Sequence, residues 1–251
     1  MNEEQILIIP IHNFPFVSPG DDIPFLIDST IEQSNETLKK GDIVVVTHSV
    51  ISIAEGRLYR IDDIVVSKKA MEIAAKTGHE PKRIEVALQE AKEVLRESPI
   101  LITKTHHGII TDFSGIDESN APPDCFIALP TNPNETAKRI SEFLTQSVGF
   151  KVPVIITDTQ GRPWRKGAVN LAIGVAGMSP FIHNAGKEDI YGHELQGSLV
   201  CLADQIASSA ELIMGQSDEG IPVVIVRGVK YEEEDGTTFS ILRSSQENLF
   251  R

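Results

Sequence analysis

Residues 155–167, with the sequence IITDTQGRPWRKG, change abruptly from an apolar run to an acid, hydroxyls, glycines and cations. The β-branched start predicts a buried strand that presents Asp158 and Thr159 at its end. Gly161 predicts a turn in which the backbone can approach a ligand. A carboxylate, a hydroxyl and nearby cations suit a metal-bound phosphate, and a strand that ends in a solvated polar turn is the alternative of equal weight.

The segments around this run predict an α+β fold. Helical periodicity and capping residues predict helices over residues 81–97, from 132–133 to just before Gly149, and over 194–214. Apolar β-branched runs predict strands over residues 6–10, 43–46, 100–103, 108–113 and 221–226. Because helices and strands alternate irregularly, with hairpins and no linker, the pattern indicates a single domain over residues 1–251 with mixed, largely antiparallel sheets and packed helices.

Two further segments have competing interpretations. Residues 168–178 are small and apolar, which indicates tight packing in a sheet or a contact between subunits. His106 and His107 lie between two predicted strands. Since adjacent side chains of an extended chain point to opposite faces, a surface turn is favoured over a metal site.

The charge of the chain restricts its partners. The formal net charge is −13 and the sequence pI is about 5.0, which argues against a broad surface for nucleic acid or for an anionic membrane. An anionic substrate therefore needs a bound divalent metal or a local basic island such as Arg162, Arg165 and Lys166. We expect metal dependence.

Cysteine usage and hydropathy indicate a cytoplasmic protein. Cys125 and Cys201 are far apart and form no CxxC or Cys/His cluster, so a disulfide framework or a zinc site is not expected. Residues 1–5 lack the positive start and apolar region of a signal peptide, and no apolar run is long enough to span a bilayer.

Three short loops offer oxygen ligands. They are residues 115–120 (GIDESN), the pair Asp158 and Thr159, and residues 215–218 (GQSD). Mg²⁺ and Mn²⁺ prefer such oxygen ligands and keep open positions for water and phosphates. For any one loop taken alone, a solvated or self-capping turn is the simpler interpretation.

The order of these motifs resembles the coenzyme F-420-0:L-glutamate ligase family. The resemblance lies in IDxSN at residues 116–120, ITDTxGR at 156–162 and AIG at 172–174. It extends over nearly the whole chain through PGDD at 19–22, GD at 41–42, AEGR at 54–57, DIYGxE at 189–194, MG at 214–215 and GIP at 220–222.

The resemblance implies a homodimeric, GTP-dependent ligase with the α+β fold of that family. Such an enzyme joins L-glutamate to the lactyl carboxylate of a deazaflavin precursor and then adds a second glutamate by a γ-linkage. Two divalent cations, Mg²⁺ or Mn²⁺, and additionally K⁺, are its expected cofactors. Because a carboxylate is a poor electrophile, we expect phosphoryl transfer from GTP to give an acyl phosphate that the glutamate amine attacks.

The resemblance also implies roles for individual residues. Asp117 and Asp158 would bind one divalent cation, Thr159 and Gln216 would help to bind a second, and Asn120 would contact the nucleotide. The other matching nucleotide positions are Phe14, Pro15, Phe16, Val17, His48, Ser49, Met214, Gly215, Gln216, Ser217, Asp218, Glu219, Gly220 and Ile221. Arg162 and Arg165 are candidate catalytic clamps on phosphate or carboxylate, with surface solubility as the alternative.

The chain departs from the family at three places. Ile53 stands where the family commonly has a lysine that serves the nucleotide, residues 113–115 read FSG where Asn-Ala-Gly is frequent, and Gln216 stands where an acid is frequent. These departures keep two alternatives open. One is a related amide-forming ligase with another acceptor or nucleotide, and the other is a catalytically silent, nucleotide-binding homodimer.

Overall fold

The computed structural model describes residues 5–250, and within them a five-stranded mixed sheet forms the centre of the protein. Its strand order is β1-β12-β2-β8-β9; β2 and β8 are parallel, and the other neighbours are antiparallel. The strands are β1 (Leu7–Pro10), β2 (Ile43–Thr47), β3 (Leu58–Arg60), β4 (Ala91–Arg96), β5 (Ile102–Thr105), β6 (Ile110–Asp112), β7 (Cys125–Ile127), β8 (Val154–Arg162), β9 (Arg165–Ala176), β10 (Phe181–His183), β11 (Leu199–Cys201) and β12 (Val223–Arg227).

Helices cover both faces of this sheet. They are α1 (Ile23–Gln33), α2 (His48–Ala54), α3 (Lys68–Thr77), α4 (Pro81–Glu90), α5 (Pro133–Val148) and α6 (Leu202–Met214). Short 3₁₀ turns occupy Ile61–Asp63, Phe113–Gly115 and Thr238–Ser240. The architecture confirms the predicted α+β fold with mixed, mostly antiparallel sheets. Across residues 5–250, no helix combines the length and the apolar character that crossing a membrane requires.

The middle strands are β-branched throughout because both of their faces are buried. In β2, Val44 and Val46 join the core beneath α1 and α5, whereas Ile43 and Val45 join the core beneath α6. All four side chains are 0% exposed. A strand covered on both faces shows a continuous apolar run rather than alternation, which explains the sequence of this segment.

A third core lies under α3 and α4. It is formed by buried side chains that include Ile73, Ile84, Phe113, Ile116 and Phe126. The small sheets β4-β5-β6 and β3-β7 belong to this part of the fold. This third core supports the turn Phe113–Gly115 after β6, and that turn reaches the edge of the central sheet.

Local signals located several elements well. Helix α5 begins after Asn132, whose side chain accepts a hydrogen bond from the Glu135 N–H, and ends at Gly149 with a φ of 77°. Gly215 ends α6 as predicted, and β2, β5, β6 and β12 overlap the predicted strands. The turn at His106 and His107 lies between β5 and β6, as expected for a hairpin.

Two predicted helices are too long. The helix predicted over 81–97 ends at Glu90, because residues 91–96 form β4 and pair with β5. The helix predicted over 194–214 starts at Leu202, because residues 199–201 form β11 and pair with β10. In both places, pairing with another strand overrides a local helical pattern.

Two strand predictions are also wrong in detail. The strand expected to be buried at residues 6–10 is the edge strand β1, and Leu7 is 46% exposed. The strand expected to end at Asp158 continues to Arg162, because it forms a long hairpin with β9. Most of the small apolar segment 168–178 therefore lies in a sheet, since β9 extends to Ala176. Residues 1–4 and 251, which the predicted domain and the signal-peptide argument include, lie outside the described residues.

Close packing of β9 against α5 requires glycine at position 174. A Cβ atom there would lie 2.5 Å from the carbonyl oxygen of Pro133. We expect Gly174→Ala to lower the free energy of unfolding by about 1–3 kcal/mol through overpacking. Gly161→Ala is the matched control on the paired strand, since its Cβ meets no atom within 4 Å. Equal denaturation midpoints for both variants and the parent would contradict this packing.

Candidate functional site

A cavity of about 660 Å³ lies at the edge of the central sheet. His48 directly follows β2, and Asp158 directly follows the part of β8 that pairs with β2, so both reach the cavity from the same edge. The carboxyl ends of parallel strands are a common place for ligands in α/β sheets. Residues from the segments 14–17, 115–123 and 214–222 form much of the remaining lining.

The cavity brings together most residues that the resemblance implicates. Its lining includes Phe14, Pro15, Phe16, Val17, His48, Ser49, Asp117, Asn120, Asp158, Thr159, Met214, Gly215, Gln216, Ser217, Glu219, Gly220 and Ile221. Among the described residues, Asp218 and the two candidate clamps, Arg162 and Arg165, are not part of this lining. Segments widely separated in sequence thus converge on one space.

Asp158 is a buried carboxylate with weak partners. It is 6% exposed, and its Oδ1 lies 3.4 Å from Nε2 of His48. Gln160 donates to its Oδ2 from 3.4 Å. Burial raises the pKa of Asp158 to about 6 and the charge of Asp117 adds to the rise, while His48 and the Gln160 hydrogen bond oppose it. Such a carboxylate suits a cation that can replace the lost hydration.

A turn with left-handed backbone leads into Asp117. The φ angles along Phe113–Gly115 are 45°, 56° and 69°. Residues with side chains adopt this region at a cost, which other contacts must offset. The buried Ser114 offsets it, because its Oγ donates to the Ala87 carbonyl at 2.7 Å and its N–H donates to Thr103 Oγ1 at 3.0 Å.

Hydrogen bonds fix both the backbone and the carboxylate of Asp117. Its N–H donates to the Ile127 carbonyl at 2.9 Å, and its carbonyl accepts from the Ile127 N–H at 2.8 Å. Its Oδ1 accepts from the Ser119 N–H at 2.9 Å and from Ser119 Oγ at 2.7 Å. The side chain is therefore oriented by its own loop.

A polar cluster adjoins Asp158. Thr159 Oγ1 donates to Asn170 Oδ1 at 2.7 Å and accepts from Gln216 Nε2 at 2.6 Å. Gln216 Nε2 also donates to Glu211, whose carboxylate accepts from the Asn170 N–H at 2.8 Å. The cluster ties β8, β9 and the end of α6 together.

Gly215 shapes the loop that carries Gln216. Its φ of 66° and ψ of −172° lie in a region open only to glycine. A side chain at this position would collide with the carboxylate of Glu219. Glu219 in turn accepts from the Ser217 N–H at 2.8 Å, and this backbone hydrogen bond lowers the pKa of its carboxyl group. The loop is thus closed on itself beside the cavity.

The residues that line the cavity suit a divalent cation. Asp117 and Asp158 supply carboxylates, and Mg²⁺ commonly takes one or two carboxylates with water and substrate phosphates. Residues 5–250 contain no group of three or more His, Cys, Asp or Glu side chains arranged to hold a metal ion. This accords with a cation completed by phosphate oxygens. Thr159 and Gln216 are hydrogen-bonded to each other, and their contact with a second ion stays a prediction.

The two candidate clamps lie elsewhere. Arg162 and Arg165 flank the tip of the β8-β9 hairpin and are exposed. Arg162 Nε donates to the Gly167 carbonyl at 3.2 Å, and its Nη2 donates to the Lys166 carbonyl at 3.0 Å. These bonds stabilise the hairpin tip, and contact of either arginine with a substrate stays a prediction.

Several residues that line the cavity were not predicted from the sequence. Arg83 comes from the surface of α4, Asp112 from the end of β6 and Asn170 from β9. A single charged residue in an amphipathic helix carries no local signal of a site. Ile53, which replaces the lysine common in the resembling family, also lines the cavity and is 8% exposed.

Comparison with known proteins places this cavity in a family. A family model described as F420-0:Gamma-glutamyl ligase matches residues 12–228, a range that contains every residue lining the cavity. The chain belongs to the F420-0:gamma-glutamyl ligase family. This confirms the resemblance seen in the sequence motifs.

Curated relatives of the family match over nearly their full length. The coenzyme F420:L-glutamate ligase of Methanothermobacter thermautotrophicus is 39% identical over 249 residues, covering 98% of this chain and 99% of the relative. The enzyme of the same name from Methanopyrus kandleri is 43% identical over 240 residues, covering 94% and 93%. That from Archaeoglobus fulgidus is 36% identical over 247 residues, covering 98% and 97%.

The raised pKa of Asp158 makes the stability of the metal-free protein depend on pH. In the folded protein the pKa of this carboxyl is about 6, whereas in the unfolded chain its pKa is 3.8. The favourable contribution is therefore complete below the unfolded pKa and is lost as pH rises towards 6. Relative to Asp158→Asn, the wild-type protein should lose up to about 3 kcal/mol of unfolding free energy between pH 4 and pH 7.

Urea denaturation of both proteins with a chelator present measures this difference. Asp28→Asn is the control, since Asp28 is a half-buried carboxylate of α1 outside the cavity that accepts from Ser147. If the unfolding free energies of the wild-type protein and Asp158→Asn changed with pH in the same way, the pKa of Asp158 would not be raised by burial, and the prediction would be wrong.

Proposed function

We propose that this chain is a GTP-dependent ligase that joins L-glutamate to the lactyl carboxylate of coenzyme F-420-0 and then adds a second glutamate by a γ-linkage. Membership of the ligase family supports this, as do the names of the relatives. The observation that carries the proposal is the convergence of Asp117 and Asp158 on one cavity with the candidate nucleotide loop 214–221.

Two group transfers account for the reaction. A carboxylate oxygen of the acceptor attacks the γ-phosphorus of GTP, and the bond to the bridging oxygen breaks to release GDP. The nitrogen of the glutamate amine then attacks the carbonyl carbon of the acyl phosphate, and the carbon–oxygen bond to phosphate breaks. The amine loses protons to solvent or to the departing phosphate. No covalent bond to the protein is required.

The protein side chains align these groups and balance their charge. Asp117 and Asp158 would hold one Mg²⁺ or Mn²⁺ ion, which when bound neutralises charge on the phosphate oxygens. Val17, Val50 and Ile53 give the lining an apolar part that limits hydrolysis of a reactive acyl phosphate by water. Asn120 lies in the same loop as Asp117 and is suited to contact the nucleotide.

One observation favours a second candidate function. Because Ile53 makes part of the lining apolar where the family commonly has a lysine, the pocket would also suit a ligase with another carboxylate acceptor or nucleotide. A silent nucleotide-binding homodimer is the third candidate. The homodimer itself, a second divalent cation, K⁺ and a cytoplasmic location stay predictions.

Mass spectrometry of the deazaflavin tests the first candidate. The purified protein is mixed with the precursor, L-glutamate, GTP and Mg²⁺ or Mn²⁺. We expect a gain of one or two glutamyl units with the wild-type protein. Asp158→Asn should be slower by roughly a hundredfold or more, because charge stabilisation by a bound cation is worth several kcal/mol of activation free energy.

Matched controls separate the possible outcomes. Asp28→Asn changes the charge by the same amount on α1, outside the cavity, and should keep full activity. Glutamylation that persists after complete removal of divalent metal would exclude the proposed cation. Nucleotide binding without glutamylation would reject this acceptor, and a screen of other carboxylates would then separate a related ligase from a silent protein.

A further inference from the structure

The cavity is lined by carboxylates and by one permanent cation. Within the described residues, Asp112, Asp117, Asp158 and Glu219 contribute acidic side chains, and Arg83 is the single arginine or lysine of the lining. An anionic substrate that enters this cavity therefore meets mostly negative charge. Arg83 is the side chain able to attract it before any metal binds.

The position of the Arg83 side chain is well defined. Its Nη2 donates to the Ile116 carbonyl at 2.9 Å, and its Cζ lies 4.6 Å from the centroid of the Phe113 ring. A carbonyl and an aromatic face orient a guanidinium without neutralising its charge. Phe113 belongs to the left-handed turn that leads into Asp117, and Ile116 directly follows that turn.

Arg83 has no ion-pair partner among residues 5–250. Its Nε is buried and has no hydrogen-bond partner, and none of the ion pairs found among the described residues includes it. Asp117, the nearest carboxylate in sequence to its carbonyl partner, has hydrogen bonds to Ser119 instead. An arginine that lines a cavity without an acidic partner is suited to an anion from outside.

We propose that Arg83 binds an oxyanion of the substrate beside Asp117, either the acceptor carboxylate or the phosphoryl group transferred to it. The inference rests on the proposed function, because it places Arg83 at the reacting groups. Ile116 connects the two sides of this subsite, since its carbonyl holds Arg83 and the next residue is Asp117. Arg83 thereby supplies a positive charge in a cavity where Ile53 replaces the lysine that is common in the family.

Binding measurements on Arg83→Met test the proposal. The probes are a β,γ-imido analogue of GTP with Mn²⁺, GDP with Mn²⁺, and the deazaflavin precursor, each titrated calorimetrically. If Arg83 holds the transferred phosphoryl group, the imido analogue should bind roughly tenfold or more weakly while GDP is unaffected. If it holds the acceptor carboxylate, the precursor alone should bind more weakly by a similar factor.

Two companion variants exclude indirect effects. Lys82→Met removes the neighbouring cation on α4, whose Nζ donates to the Ile61 carbonyl at 2.8 Å outside the cavity, and should leave all three affinities unchanged. Arg83→Lys should recover part of the lost affinity, because it restores charge without the planar donor set. If Arg83→Met does not fold, Arg83→Gln keeps a donor for Ile116 and takes its place.

The outcomes separate the inference from the proposed function. A lower melting temperature of Arg83→Met with unchanged affinities for all three probes would assign Arg83 a purely structural role and overturn the inference. These affinities need no turnover. A wild-type protein that binds the probes but forms no glutamyl product would therefore contradict the proposed function, while the comparison of affinities would still decide the role of Arg83.

Discussion

The parallel pairing of β2 with β8 is the constraint on which the site depends. Thr47 pairs with Thr157, so His48 at the start of α2 and Asp158 within β8 directly follow the paired segments of neighbouring strands of the sheet. The pairing lies in the middle of a sheet whose two faces are both buried, and its register cannot shift without exposing β-branched side chains. A polar pair is thus held at the edge of an apolar sheet.

The elements that could be predicted are those with local signals. Asn132 and Gly149 mark the ends of α5, and β2 is a run of β-branched residues. β4 and the start of α6 could not be found in this way. β4 forms because residues 91–96 pair with β5, and α6 starts late because β11, just before it, pairs with β10. Helices α1 and α3 have no counterpart among the predictions, although Ser67 caps α3.

The residues of the site also divide into those with a local sequence signal and those without one. The loops around Asp117, Asp158 and Gln216 could be recognised because their sequence motifs resemble those of a known family. The structure places all three residues at one cavity. Glu211 and Arg83 come from helix positions whose neighbours in sequence say nothing about a ligand. Only the packing of α6 against β9, and of α4 against the turn after β6, brings them to their partners.

The left-handed turn at Phe113–Gly115 has a consequence for recognition. Its backbone geometry is established during folding by the hydrogen bonds of Ser114 and by the bridge between Asp117 and Ile127. Asp117 is therefore already in place when a ligand arrives, and little conformational entropy remains to be lost on binding. The site is preorganised on this side, and folding itself sets part of its selectivity.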